Sequence, residues 1–376
     1  MLQYPDNPYL LLTPGPLSTT KSVKSAMLRD WCTWDADYNN LVNQIRSRIV
    51  NMATQNSSEY TCTLMQGSGT FSVESVIGSA IPNEGKLLIL INGAYGERML
   101  QIAGYLQIDC IVLRFPEIEP VSVDLTEKTL AENPDISHVA VVHCETSTGI
   151  LNPVREIGEV VKKYKKIFLV DAMSSFGAFP MDISDWNIDF LVSSANKCIQ
   201  GVPGFGFIVA RRTLMEDLKG RAHSLSLDLY DQWSTMEQGD GKWRFTSPTH
   251  VVRAFLQALN ELEEEGGPET RYQRYKANQT LLVKGLRESG LMPLLPDQFH
   301  SPFITTFLLP QQHHFSFQDF YDALKQKGFV IYPGKVTHYD CFRIGTIGDV
   351  HLPDIDRLIT TVRSYMSNYA KKIQTI

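Results

Sequence analysis

The chain has 376 residues, of which 43% are hydrophobic, and its formal net charge is −6 at pH 7. A chain of this length exceeds what one compact core usually holds, so we predict a large domain and a smaller one. The acidic balance argues against nucleic acid or an anionic membrane as a partner and favours small-molecule substrates.

No apolar run in the sequence approaches the roughly 20 residues that a membrane-spanning helix needs. Residues 1–5 lack the basic and then apolar order of a signal peptide, so we expect a cytoplasmic protein. The six cysteines are scattered and form no Cys-x-x-Cys pair that would indicate a metal or redox motif. We therefore expect reduced and mostly buried thiols.

Between residues 60 and 210, short apolar runs rich in β-branched residues alternate with helical patterns. The predicted strands cover residues 61–65, 87–91, 110–115, 138–143, 167–171, 189–193 and 205–210. Between them, apolar positions recur at helical spacing, for example over residues 71–80, 97–106 and 154–164. This alternation is typical of βαβ units and predicts an α/β fold with a mainly parallel seven-stranded sheet.

The pattern changes to mixed α+β after a helix predicted over residues 251–264. The run Glu265-Gly266-Gly267-Pro268 ends that helix, and a long charged helix is predicted over residues 270–288. We predict a large domain of residues 17–269 and a smaller α+β domain made of residues 1–16 and 270–376.

The run Gln66-Gly67-Ser68-Gly69-Thr70 lies between a predicted strand and a predicted helix. Its glycines let the backbone approach an anion, the first N–H groups of the helix are unpaired, and Ser68 and Thr70 add hydroxyl donors. The run therefore predicts a phosphate-binding turn, although it lacks the P-loop ending and the third glycine of the dinucleotide motif. The alternative is an ordinary tight turn capped by Ser or Thr.

Asp171 closes one buried strand, and Lys197 follows the next strand through small residues. A carboxylate and an amine at these two places can hold opposite ends of a pyridine ring, which suggests pyridoxal phosphate. Asp171 would pair with the protonated ring nitrogen, and a desolvated Lys197 would bond to the aldehyde. Taken separately, Asp171 could cap a helix that begins in residues 172–175, and Lys197 could be a solvated surface amine.

Two more strand ends carry candidate ligands. Tyr95 could stack on a flat cofactor, or it could cover the core at the entry of a helix. Thr146 offers a hydroxyl to a polar ring substituent, or it helps to form a turn. Ligands of open parallel sheets bind at the carboxyl ends of the strands, so we expect these ends to converge with those that carry Ser68 and Asp171.

Seven stretches that span nearly the whole chain resemble the class V branch of the fold-type I pyridoxal-phosphate aminotransferases. They cover residues 12–17, 66–70, 92–96, 170–177, 193–204, 242–249 and 341–345. The resemblance implies a fold-type I architecture with pyridoxal 5′-phosphate as cofactor. It also implies transfer of the amino group of 2-aminoethylphosphonate to pyruvate, with Lys197 as the base that moves the substrate proton.

The resemblance implies a role for individual residues as well. The implied cofactor-binding set is Ser68, Gly69, Thr70, Tyr95, Thr146, Asp171, Met173, Asn196, Lys197 and Thr246. Lys197 and Asp171 would be catalytic. Thr246 would reach the cofactor phosphate of the other subunit, so the active form should be a homodimer.

Substrate recognition is assigned to two regions. Arg343 would bind the carboxylate of pyruvate or alanine through its planar guanidinium, and its alternative role is a structural ion pair at a strand end. Thr13 and Gly15 are the candidates for the remaining anion contacts, and the alternative for that segment is a rigid turn.

Other functions stay open at this stage. Serine–pyruvate or alanine–glyoxylate transamination would use the same cofactor-binding residues. A cysteine desulfurase needs a mobile cysteine, a role that Cys198 and Cys341 suit poorly. A binding module without catalysis would predict loss of Lys197 or Asp171, and both are present. The adjacent His313 and His314 have no carboxylate at ligand spacing, so we expect no metal site.

Overall fold

A computed structural model describes residues 7–311 and 315–373 of the chain. Within these ranges, every helix is too short or too polar to cross a lipid bilayer. The strands are β1 (Leu10–Leu11), β2 (Tyr60–Gly67), β3 (Lys86–Ile91), β4 (Asp109–Arg114), β5 (His138–Val142), β6 (Cys144–Glu145), β7 (Ile150–Leu151), β8 (Ile167–Asp171), β9 (Phe190–Ser194), β10 (Gly204–Arg211), β11 (Ile304–Leu308), β12 (Phe329–Val330), β13 (Tyr332–Pro333) and β14 (Cys341–Gly345). The helices are α1 (Lys21–Ser25), α2 (Ala36–Ala53), α3 (Gly69–Ala80), α4 (Ala94–Tyr105), α5 (Val123–Glu132), α6 (Val154–Lys163), α7 (Arg212–Met215), α8 (Leu229–Gln238), α9 (Thr249–Glu264), α10 (Gly267–Glu288), α11 (Phe317–Gln326) and α12 (Leu352–Ile373).

The central sheet has seven strands in the order β2-β10-β9-β8-β5-β3-β4. Strand β10 is antiparallel to both of its neighbours, and the pairs β9–β8, β8–β5, β5–β3 and β3–β4 are parallel. The seven strands predicted from the sequence are the seven observed here, which confirms the mainly parallel α/β fold. The alternation of apolar runs and helical patterns was enough to predict these strands, because each βαβ unit repeats the same local pattern.

Hydrophobic clusters cover both faces of this sheet. Along β3, Leu88 and Leu90 belong to one cluster, whereas Leu87, Ile89 and Ile91 belong to the other. Successive side chains of a strand point to opposite faces, so an unbroken apolar run fills both clusters at once. The sheet is therefore held between two helical layers, and its carboxyl edge remains free for polar residues.

The C-terminal region has a separate small sheet in the order β11-β14-β13 and its own hydrophobic cluster. The N-terminal segment joins it, because Leu12 is part of that cluster and β1 pairs in parallel with β12. The predicted boundary at residues 269 and 270 falls inside the first turn of α10. We keep the two-domain division as a proposal.

The helix considered as an alternative after Asp171 and the start of one predicted helix differ from the structure. No helix follows Asp171, since residues 173–178 form turns. Helix α4 begins at Ala94 rather than near residue 97, and the reason is not local. The carboxylate of Glu145, from a distant strand end, accepts the backbone N–H of Tyr95 and stabilises the first turn.

Glycine at position 158 is required by packing rather than by backbone conformation. A Cβ atom built there would overlap the backbone carbonyl oxygen of Trp186, which cannot retreat as a flexible side chain would. At Gly104, which lies in helix α4, nothing stands within 4 Å of the corresponding position.

These two glycines make a matched pair of stability tests. We expect Gly158→Ala to lower the free energy of unfolding by about 3 kcal/mol, because the added methyl group overpacks the core. Gly104→Ala should raise it by about 0.5–1 kcal/mol, because alanine is a better helix former. Denaturant unfolding of both variants checks this, and equal effects of the two substitutions would contradict the packing that we describe.

Candidate active site

The predicted site residues converge at the carboxyl edge of the central sheet. Strands β2, β3, β5, β8 and β9 all end there, and the residues that follow them line a single cavity. The predicted residues in its lining are Ser68, Gly69, Thr70, Tyr95, Thr146, Asp171, Met173, Asn196 and Lys197. Convergence follows from strand direction, since parallel strands bring their carboxyl ends to the same edge.

The turn of residues 66–70, which the sequence predicts to bind a phosphate, ends β2 and begins α3. Ser68 occupies the N-cap position of α3, but its hydroxyl makes no capping hydrogen bond. The N–H of Phe71 donates to the Ser68 carbonyl at 2.9 Å. An anion could therefore bind at the Ser68 hydroxyl and at the N–H groups of Gly69 and Thr70, since the helix dipole favours negative charge at this end. The structure therefore does not contain the alternative, which was a turn capped by the Ser68 side chain.

Gly69 lets the start of α3 pack against Met173. A Cβ atom at this glycine would overlap the Met173 sulfur and would stand 3.4 Å from the Cβ of Ser194. Met173 comes from the turn after β8, so this contact joins the predicted phosphate-binding turn to the strand end that carries Asp171. A larger residue at position 69 would push the two walls of the cavity apart.

Asp171 is a buried carboxyl at the end of β8, with 6% of its surface exposed. Its Oδ1 accepts the backbone N–H of Met173 at 2.9 Å, and it forms no ion pair with any described residue. Burial raises the pKa of Asp171 to about 7. The structure therefore holds an acid that lacks the cation it would need in order to stay ionised.

Lys197 lies between the end of β9 and the N-terminal segment. Its Nζ donates a hydrogen bond to the carbonyl oxygen of Pro14 at 2.6 Å. Burial lowers the pKa of Lys197 to about 8, against the opposing effect of nearby Asp171. The side chain is half-buried, so it is not the solvated surface lysine that was the alternative.

The N-terminal segment reaches the site through Gly15. This residue has a φ of +113°, and a Cβ atom on it would stand 3.0 Å from Lys197 Nζ. Thr13 is buried, and its hydroxyl donates to the carbonyl of Pro16 within the segment itself. The segment turns directly over the lysine. It therefore lies close to the site, as predicted, and it also forms the turn that was the alternative.

Tyr95 is at the start of α4 and packs partly against one of the sheet clusters. The Arg98 guanidinium lies 4.9 Å from the centre of its ring, and Arg98 Nη1 also donates to Thr70 Oγ1 at 3.3 Å. Sequence reasoning had not selected Arg98. The sequence could have indicated Arg98, because residues three apart on a helix share a face and Tyr95 was already a candidate.

Glu145 is a second site residue that sequence reasoning missed. It is fully buried, its carboxylate accepts hydrogen bonds from the hydroxyl of Ser147 at 2.7 Å and from the N–H of Tyr95 at 3.2 Å, and a Cβ atom on Gly93 would overlap it. Burial raises its pKa. Glu145 thus fixes the start of α4 against the strand end that carries Thr146.

Thr146 and Arg343 are joined through the backbone. Arg343 Nη1 donates to the carbonyl oxygen of Thr146 at 3.1 Å, and its Nε donates to that of Pro333 at 3.1 Å. The Thr146 hydroxyl is hydrogen-bonded to that of Ser174 at 2.7 Å. Arg343 is buried and forms no ion pair with a described residue, so the structural ion pair considered as its alternative is not observed in that part of the chain.

Thr246 is the predicted cofactor residue that does not join the others. It is exposed, in the segment before α9, and it does not line the cavity of its own chain. Phe245 beside it is 52% exposed. The prediction that Thr246 serves a second subunit remains a prediction.

The residues that line the cavity fit pyridoxal phosphate. The buried carboxyl of Asp171 matches a protonated ring nitrogen, the Lys197 amine matches an aldehyde, and the uncapped start of α3 matches a phosphate. No group of His, Cys, Asp or Glu side chains that could hold a metal ion occurs within residues 7–311 and 315–373. His313 and His314 lie outside the described residues.

Comparison with known proteins gives a consistent result. The chain matches the family model for aminotransferase class-V over residues 20–363. A 2-aminoethylphosphonate--pyruvate transaminase of Bacteroides fragilis (strain YCH46) is 61% identical over 357 residues, which cover 95% of this chain and 98% of that protein. A Bacillus cereus (strain G9842) protein of the same name is 58% identical with the same coverage of both chains.

One further relative is much longer than this chain. Two solved structures share the fold of this chain at low sequence identity. A bifunctional phosphonoacetaldehyde hydrolase/aminoethylphosphonate transaminase of Clostridioides difficile (strain 630) is 58% identical, and this chain spans 57% of its length. A pyridoxamine-pyruvate aminotransferase structure from Mesorhizobium loti has a TM-score of 0.88 at 22% identity, with 98% of this chain and 94% of that chain covered. A Thermus thermophilus aspartate aminotransferase structure has a TM-score of 0.85 at 21% identity, with 96% of this chain and 99% of that chain covered.

The uncompensated carboxyl of Asp171 gives a prediction for the cofactor-free protein. Its pKa is about 7 in the folded state and 3.8 as the ordinary value, so the folded state binds this proton more tightly. The cost of ionising the buried acid therefore grows as pH rises from about 4 to about 7 and is complete above that.

Asp171→Asn removes this cost and keeps the acceptor for Met173. We expect the cofactor-free variant to be more stable than the wild type by about 1–3 kcal/mol at pH 8, with a smaller gain at pH 5. Denaturant unfolding at the two pH values measures this. A variant that is less stable than the wild type at pH 8 would show that Asp171 is already compensated.

Proposed function

The chain belongs to the aminotransferase class-V family, and we propose that it transfers the amino group of 2-aminoethylphosphonate to pyruvate. The products are phosphonoacetaldehyde and L-alanine, as required in phosphonate degradation. The observation that carries the proposal is one cavity that combines the Lys197 amine with the Asp171 carboxyl. Relatives named for this reaction match the chain over 95% of its length.

We propose pyridoxal 5′-phosphate as the cofactor. Asp171 would hold the ring nitrogen, Tyr95 would cover a face of the ring, and Ser68, Gly69 and Thr70 would hold the phosphate. When bound, the cofactor supplies an aldehyde that takes up the amino group and a ring that withdraws electrons from the substrate carbon. The raised pKa of Asp171 supports this arrangement, since a bound cation would stabilise the ionised carboxyl in its buried position.

Lys197 would act as the general base of the reaction. Its Nζ would remove a proton from the amine-bearing carbon of the substrate, and an amine can do so only when it is neutral. With a pKa of about 8, a useful fraction of the amine is neutral near neutral pH, and this fraction increases as pH rises. The carbonyl of Pro14 gives the free amine a defined position, because it accepts a hydrogen bond from Nζ.

Arg343 would bind the carboxylate of pyruvate or alanine. Its guanidinium is fixed by the carbonyls of Thr146 and Pro333, and these contacts leave it without a carboxylate partner among the described residues. A planar guanidinium can bind a carboxylate through two parallel hydrogen bonds. Thr13 and Gly15 would complete this end of the pocket, as the position of their segment over Lys197 supports.

We propose a homodimer in which each site takes Thr246 from the other subunit. The exposure of Thr246 outside the cavity of its own chain supports this, as does the exposed Phe245 next to it. A hydroxyl brought by a second subunit would add a donor to the phosphate held at the start of α3.

The alternative reactions differ in what they need from the pocket. Desulfuration needs a mobile thiol, whereas Cys198 and Cys341 are buried and the pKa of each thiol is raised. Serine–pyruvate or alanine–glyoxylate transamination would use the same residues, so only the choice of donor separates it from the proposed reaction.

An amine-donor panel tests the proposed reaction. With pyruvate as the acceptor, we expect alanine to form at least about tenfold faster from 2-aminoethylphosphonate than from serine, because the pocket offers several cations to an anionic donor. Chromatographic measurement of alanine decides between them. If 2-aminoethylphosphonate were inert while serine reacted, the proposed donor would be wrong and the family assignment would stand.

Mixing inactive variants tests the shared site. Lys197→Ala removes the base, and Thr246→Glu should repel the cofactor phosphate, so each homodimer should be inactive. In a mixed dimer, one site receives Lys197 and Thr246 from different subunits and is intact. Refolding an equal mixture should therefore restore about a quarter of wild-type activity.

Lys197→Ala mixed with Asp171→Asn is the matched control. Both of these residues line the cavity of the same chain, so no intact site can form and activity should stay absent. Recovery in the control, or no recovery with Thr246→Glu, would contradict a site shared through Thr246.

A further inference from the structure

We propose that Lys335 supplies a second positive charge beside Arg343 and thereby selects a phosphonate dianion as the amino donor. This inference rests on the proposed function, because it concerns the substrate of that same pocket. Lys335 is in the connection between β13 and β14, and nothing in the sequence marks it as a site residue. The structure places it, from the C-terminal region, over the ring of Tyr95, which lines the cavity.

The Lys335 ammonium lies over the ring that borders the cavity. Its Nζ is 4.6 Å from the centre of the Tyr95 ring, and the Arg98 guanidinium is 4.9 Å from the same centre. An aromatic ring attracts cations to its face, so Tyr95 holds the positive groups of Lys335 and Arg98 beside the cavity that it lines. Lys335 is exposed, and it forms no ion pair with a described residue.

The backbone fixes Lys335 relative to Arg343. Tyr332 pairs with Arg343 across the β13–β14 ladder, and the carbonyl of Pro333 accepts the Nε–H of Arg343 at 3.1 Å. The N–H of Gly334 then donates to the carbonyl of Cys341 at 2.9 Å, in a turn where a Cβ atom would overlap Cys341. The chain therefore leaves the strand that anchors Arg343 and reaches Lys335 two residues after Pro333.

The far side of this loop is attached to the large sheet region. The N–H of Thr337 donates to Glu117 Oε2 at 2.9 Å, and its hydroxyl donates to Glu117 Oε1 at 3.3 Å. Two attachments, one on each side, hold Lys335 over Tyr95. The backbone of Lys335 is thus fixed on both sides, and from there its side chain reaches the Tyr95 ring.

The surrounding charges favour an anion at this place. Lys335 as a whole residue is exposed, but partial burial of its ammonium and repulsion from Arg98 and Arg343 lower its pKa, and Glu145 opposes the shift. Glu145 itself is already occupied by hydrogen bonds from Ser147 and from the N–H of Tyr95. A dianion between Lys335 and Arg343 would relieve the repulsion, whereas a carboxylate needs only the guanidinium.

These different charge requirements explain how one pocket could bind both a carboxylate and a phosphonate. Pyruvate and alanine carry one carboxylate charge, which Arg343 can meet alone. A phosphonate carries up to two charges on a tetrahedral group, and the second charge requires a second cation. Specificity then arises as a difference between the binding free energies of the two anions.

Calorimetric binding of unreactive anions to the cofactor-loaded protein tests the role of Lys335. The probes are ethylphosphonate above its second pKa, ethanesulfonate with the same tetrahedral shape and one charge, and propionate with one charge on a planar group. For Lys335→Gln we expect about a tenfold weaker affinity for ethylphosphonate and less than about a twofold change for the other two.

Two variants control the experiment. Lys335→Arg keeps the charge and should retain most of the affinity for ethylphosphonate, and Lys327→Gln removes an exposed lysine of α11's C-terminal end and should match the wild type. Equal losses for all three anions, or wild-type affinity of Lys335→Gln for ethylphosphonate, would overturn the inference. Failure of the proposed function is distinguishable, because the wild type would then form no alanine from 2-aminoethylphosphonate.

Discussion

Five strands of the central sheet end at the same edge because they run in the same direction, and every candidate group of the cavity depends on this. Residues far apart in sequence, such as Ser68 and Lys197, become neighbours with no direct interaction needed to recruit them. The two hydrophobic clusters that cover the faces hold the strands in register, so the edge is a rigid support. A site built on such an edge can be precise even though its residues come from short loops.

This edge and strand β14 of the small sheet bring together charges that the fold leaves without opposite partners. Asp171, Lys197 and Arg343 are buried or half-buried and form no ion pairs within the described residues, and burial shifts the pKa of each towards its neutral form. Such an arrangement costs stability in the free protein. The cost becomes useful when a ligand brings the complementary charges, since the pocket is then organised before the ligand arrives.

Several residues connect the strand ends to one another. Each of them, considered alone, would be taken for a residue with a purely structural role. Glu145 binds the start of α4 to the strand end of Thr146, Met173 packs on Gly69, and the Gly15 segment covers Lys197. These contacts join the strand ends around the cavity to one another. They also explain why α4 begins three residues earlier than its own sequence predicts, since its first turn is stabilised by a carboxylate from elsewhere in the chain.

The sheet, its helices and most of the cavity lining can be predicted from the sequence, because apolar periodicity is local and strand ends in a parallel sheet share one edge. It could not separate Asp171 as a helix cap from Asp171 as an unpaired buried acid, nor select Arg98, Glu145 or Lys335. Those distinctions depend on burial and on partners more than a strand away. They become visible in the folded protein, because desolvation and charge proximity are properties of the folded arrangement and not of any stretch of residues.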